Sequence, residues 1–278
     1  MQLFLLILSL LTIAQSCRVT QERSSGGTVV GRTNHSEVVL LETFINYDEK
    51  YLCTGVLISS SFVLTSSRCV ASALFVNVHV YADELYNVHE EKREIHRATE
   101  IIYKEPFDRY PSHNDIALVK LPITLNLTAK EYTVAKLPTA PLAYNSTGKS
   151  VGWGLIDFYD EDEFATNVKY EVDLRYVPLS DCELAYPRLN WTTFGEGGRG
   201  CVVKTTGVDC VSGKIKFKSE SLTSSCILGH GSPLIVDGIV YGLSSFAYYG
   251  CESEGVLTGI QLVHYHLPWI LEHSDYAA

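Results

Sequence analysis

The chain is short of positive charge, with 22 Lys and Arg against 32 Asp and Glu, which leaves a formal net charge of −10. That deficit argues against nucleic acid, heparin-like polyanions and anionic membranes as primary partners. Cys-x-x-Cys and His-x-x-x-His spacings are missing, so nothing in the pattern points to a metal. Repeats, low-complexity tracts and long linkers are missing too, and helical periodicity is scarce before the last segment. Beyond the first 16 residues, no apolar run approaches the roughly 20 residues that a helix needs to span a bilayer. The mature protein is therefore expected to be soluble, with no membrane contact.

What is present points to an exported β protein. Hydrophobic residues make up 46% of 278 and charged residues 19%, enough to bury a sizeable core in one all-β domain. Leu3 to Ile13 is apolar except for Ser9 and Thr12, and Ala14-Gln15-Ser16 follows as a small-residue pattern. This reads as a signal peptide over residues 1–16, with a short N-terminal segment over 17–28. Polar residues at Gln15, Arg18, Gln21 and Glu22 cut the run too short for an anchor. In an exported chain, eight cysteines imply disulfides rather than thiol chemistry. Sequons at Asn34, Asn126, Asn145 and Asn190 imply a glycosylated surface.

Short segments of period two run along the chain. Val76, Val78 and Val80 alternate with Asn77, His79 and Tyr81, and Val172, Leu174 and Tyr176 alternate with Glu171, Asp173 and Arg175. Asp237-Gly238 sits between Leu234-Ile235-Val236 and Ile239-Val240-Tyr241, a two-residue hairpin signal. Leu262, Trp269 and Ile270 suggest a final helix, and Pro268 suggests that it starts near that residue. The class read from pattern is all-β, a barrel or sandwich ending in a helix.

Three stretches carry a family resemblance. Cys53-Thr54-Gly55-Val56-Leu57-Ile58, followed by Phe62-Val63-Leu64-Thr65-Ser66-Ser67-Arg68-Cys69, is similar to the CGGSLI…WVLTAAHC segment of trypsin/chymotrypsin-like serine proteases. Asp115-Ile116-Ala117-Leu118-Val119-Lys120-Leu121 resembles that family's DIALLKL strand. Cys226-Ile227-Leu228-Gly229-His230-Gly231-Ser232-Pro233-Leu234 falls where the family has CQGDSGGPL. Val151-Gly152-Trp153-Gly154 and Pro268-Trp269-Ile270 add weaker matches in family order. The resemblance implies two six-stranded antiparallel β-barrels with a cleft between them and a C-terminal helix, over residues 29–278.

Such a cleft needs a serine hydroxyl, a histidine to take its proton, a carboxylate to hold the imidazole, and backbone donors for the oxyanion. Asp115 matches the carboxylate. Arg68 stands in the histidine's place, and a guanidinium keeps its proton throughout the working pH range. His230 stands in the serine's place, because Pro233 follows Cys226 by seven residues as in the family. Ser232 directly precedes that proline, where the family has a glycine, and it lacks a positioned base. Leu228 takes an oxyanion-hole glycine position and Gly229 replaces the aspartate that meets the activated N-terminus. Thr28, not Lys or Arg, precedes the IVGG-like Val29-Val30-Gly31-Arg32, and the nearest upstream basic residue is Arg23. No catalytic residue is therefore expected. A metal-ligand or base role is the alternative for His230 near Asp115, but filling a vacated cleft is the simpler one, and His113 reads as loop surface. Side by side, Arg68 and Asp115 are expected to form a structural ion pair.

By the same resemblance, Cys53 pairs with Cys69, Cys182 with Cys210 and Cys226 with Cys251. Cys17 and Cys201 remain, to bond each other or to let Cys17 tether another chain. The specificity pocket falls at Ser224, Ser245, Phe246 and Ala247, and Ser224 gives no support for Arg/Lys preference. Asp157, Asp160, Glu161, Asp162 and Glu163, with Phe158, Tyr159 and Phe164, form either a solvated acidic loop or a dock for a basic partner. The expected function is that of a secreted, extracellular serine protease homologue without catalysis or cofactor. It would bind another protein, namely an active protease, its substrate or its inhibitor, as cofactor, decoy or regulator. It is similar in this to homologues in invertebrate extracellular fluids. The alternatives are an active serine-type endopeptidase with an atypical site, and a glycoprotein that keeps only the fold.

Overall fold

The chain's computed structural model describes residues 28–31, 33–108, 112–128, 132–153, 168–185, 198–205, 208–211, 214–217, 229–246 and 257–277. The strands of the first half are β1 (Thr28–Val29), β2 (Val38–Phe44), β3 (Lys50–Leu57), β4 (Phe62–Thr65), β5 (Phe75–Val80), β6 (Glu94–Arg97), β7 (Glu100–Tyr103) and β8 (Ala117–Lys120). Those of the second half are β9 (Thr147–Gly152), β10 (Tyr170–Val177), β11 (Arg199–Lys204), β12 (Val208–Val211), β13 (Lys214–Phe217), β14 (Pro233–Val236), β15 (Ile239–Phe246) and β16 (Thr258–Leu262). Three helices, α1 (Ser67–Val70), α2 (Leu179–Ala185) and α3 (Val263–His273), complete the described elements.

In the second half, β10, β11, β16, β15, β14 and β9 pair in that order, and β9 returns to β10, so six strands close a barrel. β1 adds to β10 at Tyr170 and Glu171, just short of the residues that take β11. In the first half, the order is β6-β5-β2-β3-β4-β8-β7, a seven-stranded half-barrel. Its two end strands belong to one run of chain that turns at Ala98 and Thr99, pairing first with β5 and then with β8. The expected two-barrel architecture is thus met by one closed barrel and one sheet curled toward closure.

β2 shows how period two builds the interior. Val38 and Leu40 enter a core shared with Trp153, Val240, Leu243 and Ile270 of the second half. Val39 and Leu41 point the other way, into a core with Val63, Val76 and Val78. Each such side chain contributes about 1.5–3 kcal/mol when fully buried, so the strand is held from both faces. The β14–β15 hairpin turns at Asp237 (φ 50°) and Gly238 (φ 77°), the double positive φ of a two-residue turn.

Two expectations are corrected here. α3 begins at Val263 rather than near Pro268, which lies inside the helix. Burial of Val263, His266 and Ile270 on one face outweighs the donor that proline removes. Cys182 bonds Cys201, not Cys210, and so Cys201 is not joined to Cys17. The reason is the register: β11 lies antiparallel to β10 with Cys201 opposite Val177, and α2 begins two residues later, which brings the two Cα atoms to 5.9 Å. The expected Cys53–Cys69 bond is present, with Cα atoms 6.0 Å apart.

Candidate functional site

That bond pins the short helix α1 to β3 and fixes what Arg68 can reach. Ser67 donates its hydroxyl to the Ile116 carbonyl at 2.8 Å, tying α1 to the chain leading into β8. The Arg68 main-chain N–H then donates to Asp115 Oδ1 at 2.8 Å, while its Nε lies 3.4 Å from Oδ2. Its Nη2 donates to the Ser112 hydroxyl, and its carbonyl accepts from the Tyr51 hydroxyl at 3.3 Å. From the other half of the molecule, the Ser245 hydroxyl donates to Asp115 Oδ2 at 2.5 Å. Asp115 is fully buried and the Arg68 side chain is only 8% exposed. A guanidinium so placed serves as donor and counter-charge to the buried carboxylate.

The turn before β14 is built by two glycines in the left-handed region, Gly229 (φ 80°) and Gly231 (φ 78°), and packs against Thr54 and Thr65. Between them His230 is half-buried, and its carbonyl accepts from the Thr54 N–H at 3.0 Å. Gly231 donates to the Ser244 carbonyl, and Ser244 donates to the Ser232 carbonyl, both at 2.8 Å. A Cβ on Gly231 would stand 2.1 Å from the Thr54 carbonyl oxygen, so no other residue fits. Ser232 lies beneath the turn with no exposed surface.

Several expected residues change character. Ser245, expected in the pocket wall, turns its hydroxyl onto Asp115. Phe246, expected beside it, is buried with Cys182, Cys201 and Leu257, its ring over Gly259. His113 is half-buried and exchanges two main-chain hydrogen bonds with Asp108. Burial, then Arg199 and Lys104, holds its pKa below the usual value. Asn34, Asn126 and Asn145 are exposed. Residues 1–27, Ser224, Cys226, Leu228, Ala247, Cys251, Asn190 and the acidic segment over 157–164 lie outside the described residues, and nothing is described of the Cys210 side chain. Among the described residues, no group of three His, Cys, Asp or Glu is placed to hold a metal ion.

Sequence reasoning missed the polar groups behind the pair. Gln261 and His266, both fully buried, link β16 and α3 to the Ser112 carbonyl. Their only sequence signal is that an amide and two imidazoles, those of His264 and His266, interrupt an otherwise apolar run, Ile260 to Leu267.

Comparison with known proteins places this geometry. The trypsin family model matches residues 26–270. A brachyurin of Leptuca pugilator is 29% identical over 226 residues, covering 80% of this chain and 88% of its own. A chymase of Cavia porcellus is 28% identical over 96% of both chains. A snake venom serine protease homolog of Protobothrops jerdonii is 24% identical over 88% of this chain and 85% of its own. The structure of neuropsin, a serine protease expressed in the limbic system of mouse brain, superposes with a TM-score of 0.69 at 18% identity, covering 90% of this chain and 99% of that one.

Proposed function

The chain belongs to the trypsin family, and from that premise we propose that it is a secreted, non-catalytic serine protease homologue that acts by binding another extracellular protein. The observation that carries this reading is the Arg68–Asp115 ion pair, which gives the buried carboxylate a cation where a proton-accepting imidazole would be needed. His230 at the serine's place and a fully buried Ser232 support it further. In a worked subtilisin case, losing the nucleophile or the base alone lowers turnover by about 10⁶-fold. The cleft then serves to hold a protein segment without cutting it, so that the chain modulates an active protease as cofactor, decoy or regulator. Among the described residues, no helix is long and apolar enough to cross a membrane. Secretion rests on the apolar run over Leu3 to Ile13 and on the usual habit of this family.

A fluorophosphonate probe tests the reading, with trypsin as the positive control. No covalent label is expected on the purified, folded chain. A label that maps to Ser232, or to any other serine, would overturn the proposal and select the second reading, an active serine-type peptidase. Family membership is the observation that favours that second reading.

A further inference from the structure

A line of donors and acceptors runs from the protein surface to Arg68. The Gln261 amide nitrogen donates to the Ser112 carbonyl at 2.7 Å. That contact fixes which way the amide faces, so Oε1 is the atom that meets His266 Nε2, 2.9 Å away. An amide oxygen only accepts, so Nε2 carries the imidazole proton. Nδ1 is then an acceptor, and Lys104 Nζ, which only donates, lies 3.2 Å from it. At the other end Ser112 holds φ at 66°, a conformation uncommon for a residue with a Cβ, and its hydroxyl accepts from Arg68 Nη2. Each link leaves one consistent assignment. Burial, then the charges of Lys104 and His113, pushes the His266 pKa down to about 3, which keeps the imidazole neutral. Among the described residues, Arg199 and Asp108 are charged groups that act on His113 beside this cluster.

We propose that Gln261 and His266 are positioning residues for Arg68: through Ser112, they make β16 and α3 set the place of the cleft's central guanidinium. The inference goes beyond the binding role, because it concerns how the cation is held whether or not the cleft acts on a peptide. It also adds a polar tie between the two halves of the molecule to those made by Ser245–Asp115 and Thr54–His230. With the tie broken, the Ser112 carbonyl loses its hydrogen bond from Gln261 and the Ser112 hydroxyl holds the Arg68 guanidinium less firmly.

Phenylglyoxal, which modifies exposed arginines, reads this directly when peptide mapping compares Arg68 with the exposed Arg97 in the same full-length chain. Gln261→Leu and His266→Phe are each expected to speed Arg68 modification about tenfold relative to Arg97, the scale of one lost buried hydrogen bond. His266→Gln keeps a donor for Oε1 and an acceptor for Lys104, so Arg68 should stay as protected as in the parent chain. Unchanged Arg68 reactivity in folded Gln261→Leu and His266→Phe would overturn the proposal. Equal reactivity in His266→Gln and His266→Phe would overturn it as well, since a merely space-filling role predicts that result. If a variant fails to fold, nitrogen-15 NMR of the parent chain decides: a proton on Nε2 supports the line and a proton on Nδ1 breaks it.

Discussion

Asp115 accepts on one oxygen the main-chain N–H of Arg68 at 2.8 Å, and its other oxygen forms an ion pair, not a hydrogen bond, with the same residue's Nε 3.4 Å away. One residue thus occupies both sides of the carboxylate, with Ser245 as the remaining donor. The pair is buried, so its members stand or fall together.

Asp115→Ala leaves the Arg68 guanidinium buried without its counter-charge and is expected to cost about 3–5 kcal/mol. Arg68→Met combined with Asp115→Leu should recover much of that loss, because an apolar pair of similar volume removes both charges. Urea unfolding of the three variants checks this, and a loss under about 1 kcal/mol for Asp115→Ala would mean that solvent screens the pair.

A second buried pair governs the segment between β5 and β6. Arg93 and Glu90 lie 3.1 Å apart with no exposed side-chain surface, and Arg93 Nη1 also donates to the Glu84 and Asn87 carbonyls. Glu90 in turn accepts the Asp83 and Glu84 main-chain N–H groups. Arg93→Ala should therefore cost about 3–5 kcal/mol and release hydrogen-exchange protection at residues 83–92 before the rest of the sheet.

The His266 pKa of about 3 against an ordinary 6.5 sets an acid dependence. Between those values the unfolded chain binds a proton that the folded chain refuses, so stability is present above pH 6.5 and is lost as pH falls toward 3. Glu42, held at about 2 chiefly by His79, whose Nε2 lies 3.5 Å from its carboxylate, adds to the loss below its ordinary 4.5. Unfolding free energies measured at pH 7, 5 and 4 should fall more steeply for the parent chain than for His266→Gln. The difference should approach one proton taken up on unfolding.

Non-reducing peptide mapping should recover a peptide joining Cys182 to Cys201 and another joining Cys53 to Cys69. A Cys182–Cys210 peptide would contradict the placement of α2 beside β11.

The strand pattern was legible from period two, as β5, β10 and the Asp237-Gly238 hairpin show. The Arg68–Asp115 pair is legible too, because the resemblance to trypsin-like serine proteases sets the two side chains side by side. The start of α3 was not: a proline inside a helix misleads when buried partners on its neighbours outweigh it. The disulfide of Cys182 was misread because two cysteines, Cys201 and Cys210, follow closely, and only the register with β10 separates them. Gln261 and His266 are distant in sequence from Lys104, Ser112 and Arg68, and no local pattern reports a tie made by folding.

The way each sheet ends has a consequence for how copies of this chain meet. The second-half barrel returns on itself, and the first-half sheet ends in β6 and β7, four residues each, with Glu94, Arg97 and Glu100 among them. Among the described residues, neither half leaves a long apolar strand with unpaired main-chain groups. Strand addition at the ends of the first-half sheet meets, among the described residues, only four-residue strands that carry charge, a poor template for fibres.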